Sequence, residues 1–558
     1  MTLTPRTPTA IDKVAEDWVD TLADLNPTLG TYIGRDGAND RYGDLSPEGH
    51  ERYVQAVRST RGALAALEPA DAIDEVTRAD LLSELDLELE FDDAKWHLRD
   101  LNVIASAPQD IRQVFDLMPS SDAEDWQTIA KRLAAVPSAL SGYTATLRDG
   151  LSQGVVPARR QVIEVAGQIA RYTAEDGFFA SFVADAAPSD GVLPASLARD
   201  LADGASAARA AYDELRDFLT TTLAPAASDA DAVGRDVYAL HSRRFLGAKI
   251  DLDETYEWGR EELARMVAEQ TAIANEILPG ASVEEAVAHL EADPARKLHG
   301  TEALQQWMQE TSDRAVAELA ATHFDIPDRI RTIECMIAPT QEGGIYYTGP
   351  TDDFSRPGRM WWSVPEGVTE FDTWRELTTV YHEGVPGHHL QIAQAVHNRA
   401  ELNSWRRLLA GTSGHAEGWA LYAERLMQEL GYLDDPADRL GMLDGQRMRA
   451  ARVVLDIGVH LGKDRLDGKG VWDAGYALDF MRQNVNMSDE FVQFEVNRYL
   501  GWPGQAPSYK VGQRIWEQVR DAYRAQQGDA FDIKAFHKRA LDLGGVGLDT
   551  LRTALLAQ

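Results

Sequence analysis

The chain has 558 residues, 44% of them apolar, and a formal net charge of −35 from 55 Lys/Arg against 90 Asp/Glu. This is the composition of an ordinary globular protein with ample core material. It lacks the basic footprint that nucleic acid or an anionic membrane surface requires, so neither is expected as a partner. The acidity reads as solubility. Cys335 is the single cysteine, which excludes an internal disulfide and a cysteine-built zinc site and fits a reducing compartment. The N-terminus carries no apolar signal segment, and no run of about 18 apolar residues appears, so a cytoplasmic location is expected.

In chain order, the first strong pattern is at 75–97, where Leu81, Leu82, Leu85 and Leu89 recur at helical spacing among acidic residues. Similar amphipathic helices are expected at 124–150, 158–173, 196–223, 251–275 and 301–323. Loops are expected at Ala187–Gly191 and Ala224–Gly234, where Pro, Gly, Ser and Asp gather. The helical habit breaks at 328–364. Clustered β-branched and aromatic residues there predict strands at Ile330–Ile337, Gly344–Thr348 and Met360–Val364. A helix follows from about Phe371 through Tyr381, and helices continue to the C-terminus with a loop at 501–508. The fold expected is mainly α, with one small β-sheet just before the histidine-bearing helix. We divide it into a helical part at 1–240 and a catalytic part at 241–558.

Five of the 13 histidines fall within 382–415: His382, His388, His389, His397 and His415. The segment from Tyr381 reads Tyr-His-Glu-Gly-Val-Pro-Gly-His-His-Leu-Gln. Metal-assisted hydrolysis wants such a set, with neutral imidazoles and a carboxylate on zinc and a non-ligand Glu to take a proton from water. The usual spelling, HExxH on one helix face, is absent, because Pro386 stands four residues after His382. In an unbroken helix His389 would lie about 10 Å along the axis from His382, and His388 would point elsewhere. Pro386-Gly387 breaks that regularity and lets a widened turn bring His388 or His389 back over His382. A third ligand is expected from the helical stretch Gly414–Glu424. In the gluzincin arrangement a Glu on the next helix completes the site, and Glu417 is placed to be it, with Glu424 to orient a ligating histidine from behind. His397, in the polar stretch Val396-His397-Asn398-Arg399, reads as a packed histidine and not a ligand.

The segment HEGVPGHHLQ followed by HAEGWALYAE resembles the bacterial family of unknown function DUF885. Its members carry His-Glu-x-x-Pro-Gly-His-His and a downstream Glu-Gly-Trp-Ala-x-Tyr-x-Glu. The stretch from Arg498 to Gly512, with Pro-Gly-Gln-Ala and Tyr509-Lys510, is similar to that family as well. The family in turn resembles helical gluzincin peptidases of the Taq carboxypeptidase and angiotensin-converting-enzyme type. That resemblance implies a two-lobed helical fold with a deep cleft and a small sheet beside the zinc helix.

Together these features lead us to expect one Zn2+, or another divalent ion, on His382, on His388 or His389, and on Glu417, with Glu383 as general base. Tyr509, read as part of a glycine-flanked loop, and His460 are candidates for oxyanion donor. The plainer reading of Tyr509 is loop packing, and of His460 a buried histidine bonded to Asp456. A peptide is expected to pair with the strand holding Tyr346 and Tyr347. For a C-terminal exopeptidase, Arg498 or Lys510 would meet the terminal carboxylate, although Arg498 also stands at helical spacing from Glu495. The function expected is a zinc peptidase acting on short peptides. An amidohydrolase of a small metabolite and an inactive helical scaffold are the alternatives. Glu383 favours catalysis, since a structural site needs no base.

Overall fold

In a computed structural model the described residues are 6–35, 37–189, 191–338 and 344–557. Helices dominate, and most expected spans appear within a few residues of their places. They are Ala72–Asp93, Ala123–Gln153, Arg159–Thr173, Ala195–Phe218, Leu252–Ile277 and Thr301–Thr322. The boundary signals are local. Asp71, Asp122 and Asp251 each accept hydrogen bonds from backbone N–H groups of the first turn, satisfying donors that a helix leaves open. Asp190 of the expected loop at 187–191 lies outside the described residues.

The sheet content differs from the expectation in one respect: two small sheets are present. β1 (Lys297–His299) pairs antiparallel with β5 (Glu370–Asp372). The second sheet has the order β2-β4-β3, with β2 (Ile333–Ile337) parallel to β4 (Gly358–Trp362) and β3 (Ile345–Thr348) antiparallel to it. Its three strands are those expected, with the first shortened because Ile330 closes a 3-10 turn at Asp328–Ile330. The inner face of β2 and β4 buries Ile333, Cys335, Met360 and Trp362 against Leu304 and Met308 of the preceding helix and Val380 of the following one. That packing sets the angle at which the helix Thr373–Glu383 leaves the sheet.

One apolar cluster runs from Tyr238 to Leu555, and a second from Leu101 to Ala227. A third joins Ile11, Trp18, Leu81 and Leu85 to Trp405. Among the described residues no helix is long and apolar enough to cross a membrane.

Candidate metal centre

The helix Thr373–Glu383 ends on His382 and Glu383, and a new helix, His388–His397, begins after a four-residue turn containing a cis Val385-Pro386 bond. The turn closes on itself: Gly387 N–H donates to Tyr381 O (3.1 Å) and His389 N–H to Gly384 O (3.2 Å). Position 387 must be glycine, because a Cβ there would stand 1.9 Å from His382 O. Trp419, fully buried, holds the turn from outside, its indole N–H donating to Pro386 O at 2.8 Å. The break in the helix has the effect expected of it, swinging His388 back over His382 with their rings edge to face, centroids 4.8 Å apart.

His389 goes the other way. Its Nδ1 meets the Tyr347 hydroxyl at 2.9 Å and its Nε2 meets Ile330 O at 2.6 Å. Both ring nitrogens are occupied, and burial pushes its pKa down to about 4. His388 is therefore the histidine the turn presents to the site.

Ligand atoms of His382, Glu383 and His388 lie within 4.8 Å of one another, and all three residues are buried. Glu417 comes from the helix Ser413–Glu429, its Oε2 3.3 Å from His382 Nε2 and 3.6 Å from His388 Nε2. Donors at about 2 Å from a tetrahedral ion stand about 3.3 Å apart, so these three groups suit one ion. Glu417 Oε2 has no hydrogen-bond donor of its own. Glu424, two turns further on, accepts from His382 Nδ1 at 2.7 Å, which leaves Nε2 free to face the site. Burial alone would disfavour a His382 cation, yet Glu417 and Glu424 outweigh it and lift the imidazole to about 10. This pocket stabilises positive charge. Burial raises Glu383 above the usual carboxylate range, against the pull of His388 and His382.

The elements around this group are held at backbone distance. A Cβ on Gly418 would lie 2.4 Å from the Gly512 carbonyl carbon, and one on Gly512 2.2 Å from Gly414 O. This contact sets the Glu417 helix against the helix Ser508–Gln527. Tyr509 belongs to the first turn of that helix, not to the glycine-flanked loop expected for it. Its hydroxyl is pushed up to about 12 by burial and by the Glu417 charge. Arg449 and Arg452 approach its ring to 5.7 and 5.2 Å.

The other expected residues stand elsewhere. His460 ends the helix Pro436–His460, fully buried as its plainer reading has it, but its Nε2 bonds to Tyr499 O at 3.1 Å, with Asp456 Oδ1 further off at 3.8 Å. Arg498 is committed to Glu495 (3.0 and 2.9 Å) and Gln505 (2.7 Å). Lys510, 1% exposed, is committed to Glu262 (3.0 Å), Gln446 (2.7 Å) and Gln513 (2.9 Å). All three Lys510 donors are taken, and the Arg498 charge is already paired with the Glu495 carboxylate. Tyr346 is exposed and stacks on Trp361, while Tyr347 ties β3 to His389. Among the described residues β3 pairs with β4 alone, so its other edge is open. His397 is half-buried, with its pKa lowered by burial.

Sequence reasoning missed Gln446, Arg449 and Arg452, which the helix Pro436–His460 brings to the site without any short motif. Gln446 donates to Glu424 at 2.9 Å, so Lys510, Gln446, Glu424 and His382 form one buried chain. A second histidine–carboxylate group, His50, Asp92 and His97, occurs among the N-terminal helices. Its imidazoles stack at 3.5 Å and 15°, so their in-plane lone pairs run parallel and do not converge. A cavity of about 750 Å³ lies between those helices and Arg243–Lys249. None of the metal-group residues lines it, although Thr412, which caps the Glu417 helix, does.

The family model described as "Bacterial protein of unknown function (DUF885)" matches residues 27–555. The chain belongs to this family. A comparison with the curated proteins found no match. Among solved structures, a candidate lipoprotein of Colwellia psychrerythraea superposes with a TM-score of 0.84 at 22% identity, over 98% of each chain. A candidate lipoprotein of unknown function from Shewanella oneidensis gives 0.76 at 17%, over 98% of this chain and 100% of that one. These likenesses establish this helical fold for the DUF885 chain. A carboxypeptidase of Pyrococcus furiosus is a distant neighbour, with a TM-score of 0.37 at 13% identity over 98% of this chain and 96% of that one.

Proposed function

We propose that this DUF885 protein is a metal-dependent hydrolase that cleaves peptide bonds in short peptides, with zinc as its preferred ion. The observation that carries this reading is the convergence of His382 Nε2, His388 Nε2 and Glu417 Oε2 on one point, with the Glu383 carboxylate beside them. A catalytic site has three protein ligands and an open position, and we assign Glu383 to the proton beside that position and not to the ion.

When bound, zinc supplies Lewis acidity toward a carbonyl and a water. His382, His388 and Glu417 would hold it. Glu383 takes the proton of the attacking water and returns it to the leaving amine; its raised pKa suits a group that must both accept and release that proton. Tyr509 donates its hydroxyl proton as a hydrogen bond to the developing oxyanion. Glu424 fixes the His382 ring from behind. The open edge of β3 offers backbone groups to an extended substrate.

The test is hydrolysis of a mixed library of short peptides by the zinc-loaded chain. Glu383→Gln is expected to keep its metal and lose activity by about 10²–10⁴-fold. Full activity in Glu383→Gln would sink the base assignment, and inertness of the native chain toward every peptide would sink the peptidase reading. The cytoplasmic location belongs to this proposal too. The designation of the two neighbours as candidate lipoproteins favours the cell envelope instead, and cell fractionation decides between them.

A further inference from the structure

Four cations stand near Tyr509 or the Gln446–Glu424 chain: Arg449, Arg452, Arg498 and Lys510. Three are already satisfied. Arg452 donates to Tyr499 (2.6 Å) and Glu495 (2.7 Å), Arg498 to Glu495 and Gln505, and Lys510 to Glu262, Gln446 and Gln513. Arg449 differs. It lies over the face of Tyr509, its guanidinium carbon 5.7 Å from the ring centroid. Its Nε is buried and has no acceptor. A half-buried guanidinium without a direct ion-pair partner keeps donors to offer, and its planar fork of donors matches a carboxylate in bidentate fashion.

The position of Arg449 gives that vacancy a meaning. Gln446, on the same helix, bonds to Glu424, which holds His382. Arg449 lies one turn further along, about 4.5 Å down the axis, on the side where Tyr509 stands. Its charge reaches Glu383, Glu424 and Tyr509. A group held by Arg449 would therefore sit beside Tyr509, on the helix that also supports Glu424 through Gln446.

We propose that Arg449 receives the free C-terminal carboxylate of the substrate, so that the enzyme removes residues from the carboxyl end of a peptide. This rests on the hydrolase reading above and assigns to Arg449 the part that the sequence suggested for Arg498 or Lys510. The Tyr509 ring packs the guanidinium on one face and orients its fork.

The test uses the full-length chain, zinc-loaded and carrying Glu383→Gln so that nothing is turned over. Two peptides identical except for a C-terminal carboxylate or amide are titrated calorimetrically into it. The acid is expected to bind about 10- to 100-fold more tightly, as a charged bidentate contact gives. Adding Arg449→Gln should erase the difference without lowering the melting temperature, since no ion pair is lost; Arg449→Lys should restore part of it. Equal binding of acid and amide, no binding of either, or a preference that survives Arg449→Gln overturns the proposal. An acid preference in a chain that hydrolyses nothing would sink the hydrolase reading and leave Arg449 as a carboxylate receptor.

Discussion

His382 is gripped at both ring nitrogens, by Glu424 behind and Glu417 in front. The rear contact is itself supported, because Gln446 bonds to Glu424 and Lys510 to Gln446, with Glu262 neutralising Lys510. Burial pushes the Lys510 ammonium down to about 8, and Glu262 limits the fall. Such outer partners fix the tautomer of a ligating histidine, and their loss commonly weakens metal affinity 10- to 100-fold. Glu424→Ala is expected to lower zinc affinity by about that factor, measured by competition with a chromogenic chelator. Unchanged affinity would show that Glu424 does not orient the ligand. His382, Glu383, Glu417 and Glu424 are legible in the sequence because each sits in a short motif whose chemistry constrains it. The choice between His388 and His389 is not legible, since it depends on dihedral angles within one turn. Nor is the difference between Arg449 and Arg498, which lies in the presence or absence of a distant partner such as Glu495.

The helices carrying Glu417 and Tyr509 meet at glycine against glycine, Gly414 and Gly418 against Gly512. A single methyl group cannot be absorbed there, because the atoms it would strike are backbone. Gly512→Ala is expected to cost about 1–3 kcal/mol in denaturant unfolding, and to reduce activity by parting Tyr509 from Glu417. An unchanged unfolding midpoint would contradict the close approach. Element positions follow from periodicity, so the long amphipathic helices and the strands β2 to β4 stand close to where the sequence puts them. The paired strands β1 and β5 were invisible, as three residues are too few to display alternation. Tyr509 was expected in a loop because Pro503, Gly504 and Pro507 signal one. Pro507 instead precedes the first helical residue, a place where proline costs little.

At the scale of the whole molecule the metal group is built almost entirely from residues 373–513. The N-terminal helices reach that half through polar ties as well as through Trp405. Asn403 Nδ2 donates to Asp12 at 3.0 Å, Arg406 to Thr77 at 3.2 Å, and Gly547 N–H to Asp80 at 2.9 Å. A division at residue 240 is thus proposed as a division of cores, bridged by these contacts. The central claim, a single ion on His382, His388 and Glu417, is tested most directly by elemental analysis of the purified native chain beside His388→Ala and His389→Ala. The account predicts about one zinc per chain in the native protein and in folded His389→Ala, and none in His388→Ala. Absence of metal from the native chain after zinc is offered at neutral pH, or retention by His388→Ala with loss from His389→Ala, would contradict it.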